Sequence, residues 1–141
     1  MANLPDHVGQ AKHNLACAEK FLLDGSCNDW AITSAFYSAL HFAEAGFAVT
    51  KIEHTELSCP RDEDRHTYRE RMVRKEFGES CWKSYRKLRS ASYNVRYLAL
   101  WDSGRVGTAS SYFNPQDVAQ FVKRELPLVR KEVEKSGVSL A

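Results

Sequence analysis

Hydrophobic and polar positions along the 141-residue chain recur with the period of a helix, and the pattern divides into five helical segments. The most apolar, Asn28 to Thr50, is charged only at Asp29 and Glu44 and has apolar residues on nearly every side. Such a helix has to be wrapped by others, so it is expected to be the central stave of a bundle. Small residues at Ala31, Ser34, Ala35, Ser38 and Ala45 would let a neighbour approach closely, while Ile32, Phe36, Leu40, Ala43 and Phe47 supply bulk. Tyr37 and His41 are its polar exceptions. Ahead of it, Val8, Ala11, Leu15, Ala18 and Leu22 form one stripe, which predicts a helix from about Asp6 to Leu23 ended by Asp24-Gly25-Ser26. Asn28 or Asp29 then offers an N-cap for the central helix.

Beyond a polar loop from Lys51 to Asp64, a third helix is expected over Arg65 to Phe77, closed by Gly78. A fourth, capped by Ser80, continues through Tyr97 toward Trp101, and a loop rich in Gly and Ser runs from Asp102 to Phe113. Asn114-Pro115-Gln116-Asp117 is a strong helix start, with Asn as cap and Pro at the first helical position. Val118, Phe121, Val122, Val129 and Val133 give the last helix its buried stripe, and Pro127 is expected to kink it. No strand pattern, repeat or linker interrupts the series. The expected fold class is all-α, a single domain over residues 1–141 built as a compact antiparallel bundle of about five helices.

Composition is that of an ordinary soluble domain, 43% hydrophobic and 27% charged with a net charge of +2. A chain this long buries roughly two thirds of its unfolded surface and needs no staples. It has no charge-free apolar run of about 18 residues, and its start lacks the basic and apolar regions of a signal peptide, so a cytoplasmic protein without a membrane partner is expected. Cys17, Cys27, Cys59 and Cys81 lie far apart, with no C-x-x-C pair and no His at a recurrent metal-ligand interval. They read as buried or idle thiols, and neither metal nor cofactor is expected.

Charge is uneven along this scaffold. Arg65 through Tyr97 holds ten Lys or Arg against three Glu, whereas Asp29 through Asp64 holds seven Asp or Glu against two basic residues. On the fourth helix Trp82, Arg86, Arg89, Tyr93 and Arg96 share one face, guanidinium groups interleaved with aromatic rings. Arg forks match phosphate and stack on bases, as recognition of single-stranded RNA requires. The alternative is a solvated face whose Arg stems cover apolar neighbours. In the loop before the third helix, Arg61-Asp62-Glu63-Asp64-Arg65-His66 separates an Arg and a His by four residues. That pair could bind a phosphate and move a proton; equally, Asp64 could cap the helix, Arg61 pair with the acidic loop and His66 stand exposed in the first turn. Tyr37 and His41, four apart, could jointly address a nucleotide or form a buried hydrogen-bonded pair.

The run D-W-A-I-T-S-A-F-Y-S-A-L-H-F-A-E-A, residues 29–45, resembles the central helix of HEPN domains, a tyrosine-bearing, small-residue helix of the type A-x-x-x-A-Y-Y-A-x-x-H. Phe36-Tyr37 stands where that family often has a Tyr pair. The later Tyr85, Leu88, Ser92, Arg96 and Tyr97, spaced Y-x2-L-x3-S-x3-R-Y, resemble a following HEPN helix. With the first and last helices the likeness spans nearly the whole chain. It implies a helical bundle that usually forms a homodimer with a groove between protomers. Many such domains are metal-independent endoribonucleases in toxin–antitoxin, defence or RNA-processing systems, with an Arg-x4-6-His motif whose Arg is followed by a polar residue. Arg61-Asp62-x3-His66 fits that motif. The resemblance thus implies catalysis by Arg61, stabilising the phosphoryl oxygens, and His66, assisting proton transfer as a 2'-hydroxyl attacks the adjacent phosphate. Tyr37, His41, Arg86, Arg89, Tyr93 and Arg96 would contact RNA or nucleotide. Other HEPN domains lack the catalytic pair and partner a minimal nucleotidyltransferase or bind a nucleotide, the alternative for this chain. The placement of Arg61 in an acidic loop departs from the family, whose motif more often lies in a helix.

Overall fold

The computed structural model describes residues 3–50, 59–97 and 113–139. Each helix begins where a local cap makes it begin. α1, Leu4–Asp24, opens on a reciprocal box in which the Asn3 side chain accepts from the Asp6 N–H and the Asp6 carboxylate accepts from the Asn3 N–H, with Pro5 in the first turn. It therefore starts two residues before the expected Asp6. Gly25, at φ 76°, ends it in the left-handed conformation that only glycine adopts without strain. α2, Asn28–Val49, is capped by Cys27 with no side-chain hydrogen bond, so neither Asn28 nor Asp29 is its cap. α3, Arg65–Phe77, is capped by Asp64, whose carboxylate accepts from the Thr67 N–H at 2.9 Å and the Thr67 hydroxyl at 2.6 Å. α4, Glu79–Tyr97, starts one residue ahead of the expected cap Ser80, and the Gly78 carbonyl receives its first bond, from the Trp82 N–H.

The last helix, α5, is continuous through three stretches, Pro115–Gln120, a π-helical Phe121–Glu125 and Leu126–Glu134. Asn114 and Asp117 close the box expected at its start. Pro127 does not simply kink the helix. Its ring would press on the carbonyl four residues back, and the helix widens by one residue per turn just ahead of it, with the Leu126 N–H donating to the Phe121 carbonyl.

These helices form an all-α bundle around α2, and no strand occurs among the described residues. α2 packs along α1, α4 and α5. Fourteen of its 22 residues are buried, among them Ile32, Phe36, Phe42 and Phe47. Each such side chain contributes about 1.5–3 kcal/mol by leaving water. Its small residues serve contact as expected. Ser38 is fully buried and donates to the Ala11 carbonyl of α1 at 2.8 Å. Gly46 leaves room for the Phe77 ring of α3, which stacks on Phe47 at 5.3 Å between centroids. A smaller apolar cluster of Ala31, Ile32, Ala91, Val95 and Val118 seals one end. No helix among the described residues is long and apolar enough to cross a membrane. Trp101, loop residues 51–58 and nearly all of the second loop lie outside the described residues.

Candidate functional site

A cavity of about 300 Å³ opens between α2, α3 and α4, lined by Phe36, Asp64, His66, Arg89, Tyr93, Arg96 and Tyr97. Helical spacing assembles it: Arg89, Tyr93 and Arg96 recur at i, i+4 and i+7 on α4, and His66 stands in the first turn of α3, its ring 5.9 Å from that of Phe36. Tyr93 and Tyr97 form an exposed ring pair at the mouth, 4.9 Å between centroids.

The two arginines differ in how their charge is met. Arg89 Nη1 donates to Glu70 Oε2 at 2.6 Å, and Nη2 lies 3.8 Å from the Asp64 carboxylate, which also caps α3. Among the described residues Arg96 has only neutral partners: Nη1 donates to the Tyr37 hydroxyl at 3.1 Å, Nε donates to the Ser92 carbonyl at 3.3 Å, and the guanidinium lies over the Tyr37 and Tyr97 rings. No carboxylate among the described residues forms an ion pair with it. A half-buried guanidinium without a counter-ion invites an anion.

His66 Nδ1 lies 3.4 Å from Arg69 Nη1. A guanidinium only donates, so Nδ1 accepts, and the neutral ring carries its proton on Nε2. Burial, reinforced by the charges of Arg69, Arg89 and Arg96, lowers the His66 pKa, with Asp64 opposing. At neutral pH the ring is an uncharged Nε2–H donor. Arg69 is itself fixed by a buried ion pair, Nε to Glu44 Oε1 at 2.6 Å, with side chains 9% and 2% exposed. Beside them Tyr85 is fully buried, and that burial raises its pKa. The arrangement offers hydrogen-bond donors from two arginines and an imidazole, flanked by aromatic rings.

The expected site residues separate in space. His66, Arg89, Tyr93 and Arg96 meet in the cavity, and Tyr37 joins through Arg96. Arg61 stands in the exposed turn before α3, is not part of the cavity lining, and forms no hydrogen bond or ion pair with His66. His41 turns toward α1, its Nδ1 3.1 Å from His7 Nδ1, so one ring donates, the other accepts and Tyr37 is not its partner. Burial and then His7 lower the His41 pKa. Arg86 lies on the far flank of α4, over the Trp82 ring and 3.7 Å from Glu70. Glu70 thereby ties down Trp82, Arg86 and Arg89 together, so much of the basic face is braced against α3. Glu44 and Arg69 are not among the expected site residues, and Asp64 was expected only as a possible cap of α3, which it is. Glu44 alone carried a signal, since a carboxylate in the middle of an apolar helix needs a buried cation.

No three His, Cys, Asp or Glu side chains among the described residues gather as a metal ion would require. The thiols are free, and burial pushes Cys81 up to about 12, which leaves it unreactive. No family model matches the chain, and no curated protein or solved structure is significantly similar to it.

Proposed function

We propose that the protein is a HEPN-type module that binds single-stranded RNA, seating one backbone phosphate at Arg96 and His66 with Tyr93 and Tyr97 stacking on adjacent bases. The observation that carries this reading is the Arg96 guanidinium, held by a hydroxyl and a carbonyl and by no carboxylate among the described residues. Arg89 stands beside it as a second donor, partly neutralised by Glu70. Phosphate recognition needs donors and aromatic platforms, and the cavity supplies both.

Metal-independent cleavage at the same phosphate is the second reading, favoured by His66 lying in the cavity. Cleavage needs a ring nitrogen that can take a proton from the 2'-hydroxyl. In the arrangement present, Arg69 occupies Nδ1 and Nε2 already bears hydrogen, so His66 donates to the phosphate and does not serve as base. That geometry favours binding over cleavage as the primary function, and pairing with a nucleotidyltransferase or an antitoxin is consistent with it.

Fluorescence anisotropy with a labelled single-stranded RNA in EDTA tests both readings. Wild type binds with an affinity that falls as salt rises. Arg96→Ala weakens binding roughly tenfold or more, the scale of a lost charge-assisted hydrogen bond, and Arg61→Ala leaves it unchanged. Equal affinity for Arg96→Ala and wild type removes the cavity from the function. Strand scission abolished by both His66→Ala and Arg61→Ala would establish the nuclease instead.

A further inference from the structure

A larger recess, of about 590 Å³, lies on the other flank of α4, between that helix and the start of α5. Three cations line it, Lys83, Arg86 and Lys87, and no carboxylate does. Lys83 is exposed and forms no ion pair among the described residues. Arg86 and Lys87 lie 3.7 Å from Glu70 and 3.6 Å from Glu125, too far for hydrogen bonds, so their donors stay available. Inside the recess Phe113 and Phe121 meet edge to face, 5.4 Å between centroids, and both are partly exposed. In such a pair the ring that offers its edge keeps its own faces for other contacts. Ser90 and Asn94 add a hydroxyl and an amide to the same lining.

We infer that this recess is a base-binding subsite for the same RNA strand whose phosphate sits at Arg96, an assignment that rests on the RNA-binding function already proposed. An unstacked base lies on the Phe113–Phe121 pair, the Asn94 amide meets its edge as donor and acceptor, and the flanking phosphates pass Lys83, Arg86 and Lys87. Trp82 also lines the recess, but Arg74 lies over its ring at 4.3 Å and its Nε1 donates to Glu70, so the phenylalanines take the base.

Continuity with the cavity carries the assignment. Arg89 and Tyr93 line the cavity, and the residue that follows each of them, Ser90 and Asn94, lines the recess. The two sites therefore share α4 as a common wall, one residue step apart around the helix, with Tyr93 and Tyr97 exposed beside it. From Lys83 to Tyr97 that helix has no acidic residue, so a polyanion crossing it meets no like charge there. Asp64, the carboxylate of the cavity lining, lies on the α3 side and is engaged by Thr67. An acidic peptide helix would suit the cations as well, but a base alone joins a π face to an edge of donors and acceptors, as the rings and Asn94 require. Lys83 and Arg96 stand about 20 Å apart along α4 by the helical rise, a span for an octanucleotide and too long for a trinucleotide.

Fluorescence anisotropy with labelled RNA of those two lengths is the test, with 4-thiouridine placed in turn at each position of the octanucleotide for crosslinking. Circular dichroism checks folding, and the charged positions altered are exposed. Lys83→Glu and Phe113→Ala should each weaken octanucleotide binding roughly tenfold and leave the trinucleotide, held at Arg96, unchanged. Lys20→Glu, on the exposed face of α1, should change neither. Crosslinks should reach Phe113 or Phe121. Octanucleotide binding that falls in Arg96→Ala, ignores Lys83→Glu and Phe113→Ala and crosslinks only to Tyr93 and Tyr97 overturns the subsite and leaves the phosphate site standing. The reverse pattern, a response to Lys83→Glu and none to Arg96→Ala, keeps the base subsite and overturns the phosphate site. Absence of RNA binding overturns both, and binding of a helical Leu–Glu repeat peptide in its place would assign the recess to a protein.

Discussion

Replacing Glu44 by Gln probes the link between the bundle and its site. The Glu44 and Arg69 side chains are 2% and 9% exposed and meet at 2.6 Å, so both charges have left water and depend on each other. Gln keeps the shape and one acceptor oxygen but removes the charge, leaving Arg69 as a buried cation short of its counter-ion. Breaking a buried pair from one side costs about 3–5 kcal/mol. For a domain of this size that is a fall in Tm of about 10–20 °C. Arg69→Met should cost a similar amount by stranding the carboxylate. The double variant Glu44→Met with Arg69→Met should recover most of the loss, because well-packed apolar side chains replace a buried pair at little or no cost. Thermal and urea unfolding of the four proteins form a double-mutant cycle, and the coupling should exceed about 2 kcal/mol. A Glu44→Gln variant within about 0.5 kcal/mol of wild type would refute the reasoning, since that is the effect of an exposed pair. A second readout is independent of stability: Arg69 is the foremost charge depressing His66, so the His66 pKa should rise in Arg69→Met.

Three further outcomes follow from particular contacts. Gly46→Ala would drive a methyl into the Phe77 ring and to within 3.0 Å of Val133 Cγ1, and should lower stability by about 1–3 kcal/mol in urea unfolding; an unchanged midpoint would mean α3 does not seat there. His41 and His66 both have depressed pKa values, so their contribution is present above the unfolded value near 6.5 and is lost as pH falls, because the unfolded chain takes up protons that the fold resists. Stability should decline as pH falls through 6.5, with a slope for each of them that does not exceed about 1.4 kcal/mol per pH unit, and a flat profile between pH 7 and 5 would contradict both assignments. RNA binding should strengthen as pH falls from 8 to 6, since a bound phosphate favours the charged imidazole; affinity that weakens over that range would place the phosphate away from His66.

The bundle was legible because its strongest signals are local. Apolar periodicity and the Asn-Pro-x-Asp start found α2 and α5, and the same cap logic, Asn followed three residues later by Asp, opens α1 at Asn3 and went unread there. Pro127 was recognised as a disturbance, but whether a helix bends or widens is decided by packing on both sides, which periodicity does not encode. The site was half legible. Arg89, Tyr93 and Arg96 lie on one helix, so spacing alone unites them, and His66 reaches them from α3 only in three dimensions. Arg61 and His66 satisfied a sequence interval, yet the residue held at His66 is Arg69, one turn on, because a helical i, i+3 pair meets where a loop-to-helix pair need not. Tyr37 and His41, four apart on one helix, found partners on α4 and α1 respectively, since the centre of a bundle has neighbours on every side.

The proposed function requires a phosphate at Arg96 and His66, and imidazole NMR during an RNA titration observes that contact directly. Before addition, the His66 ring should show a neutral tautomer with hydrogen on Nε2. With RNA, its nitrogen signals should move and its pKa rise, while those of His13, exposed on α1, stay in place. RNA that binds tightly and leaves the His66 resonances and pKa unchanged would contradict the assignment of the site.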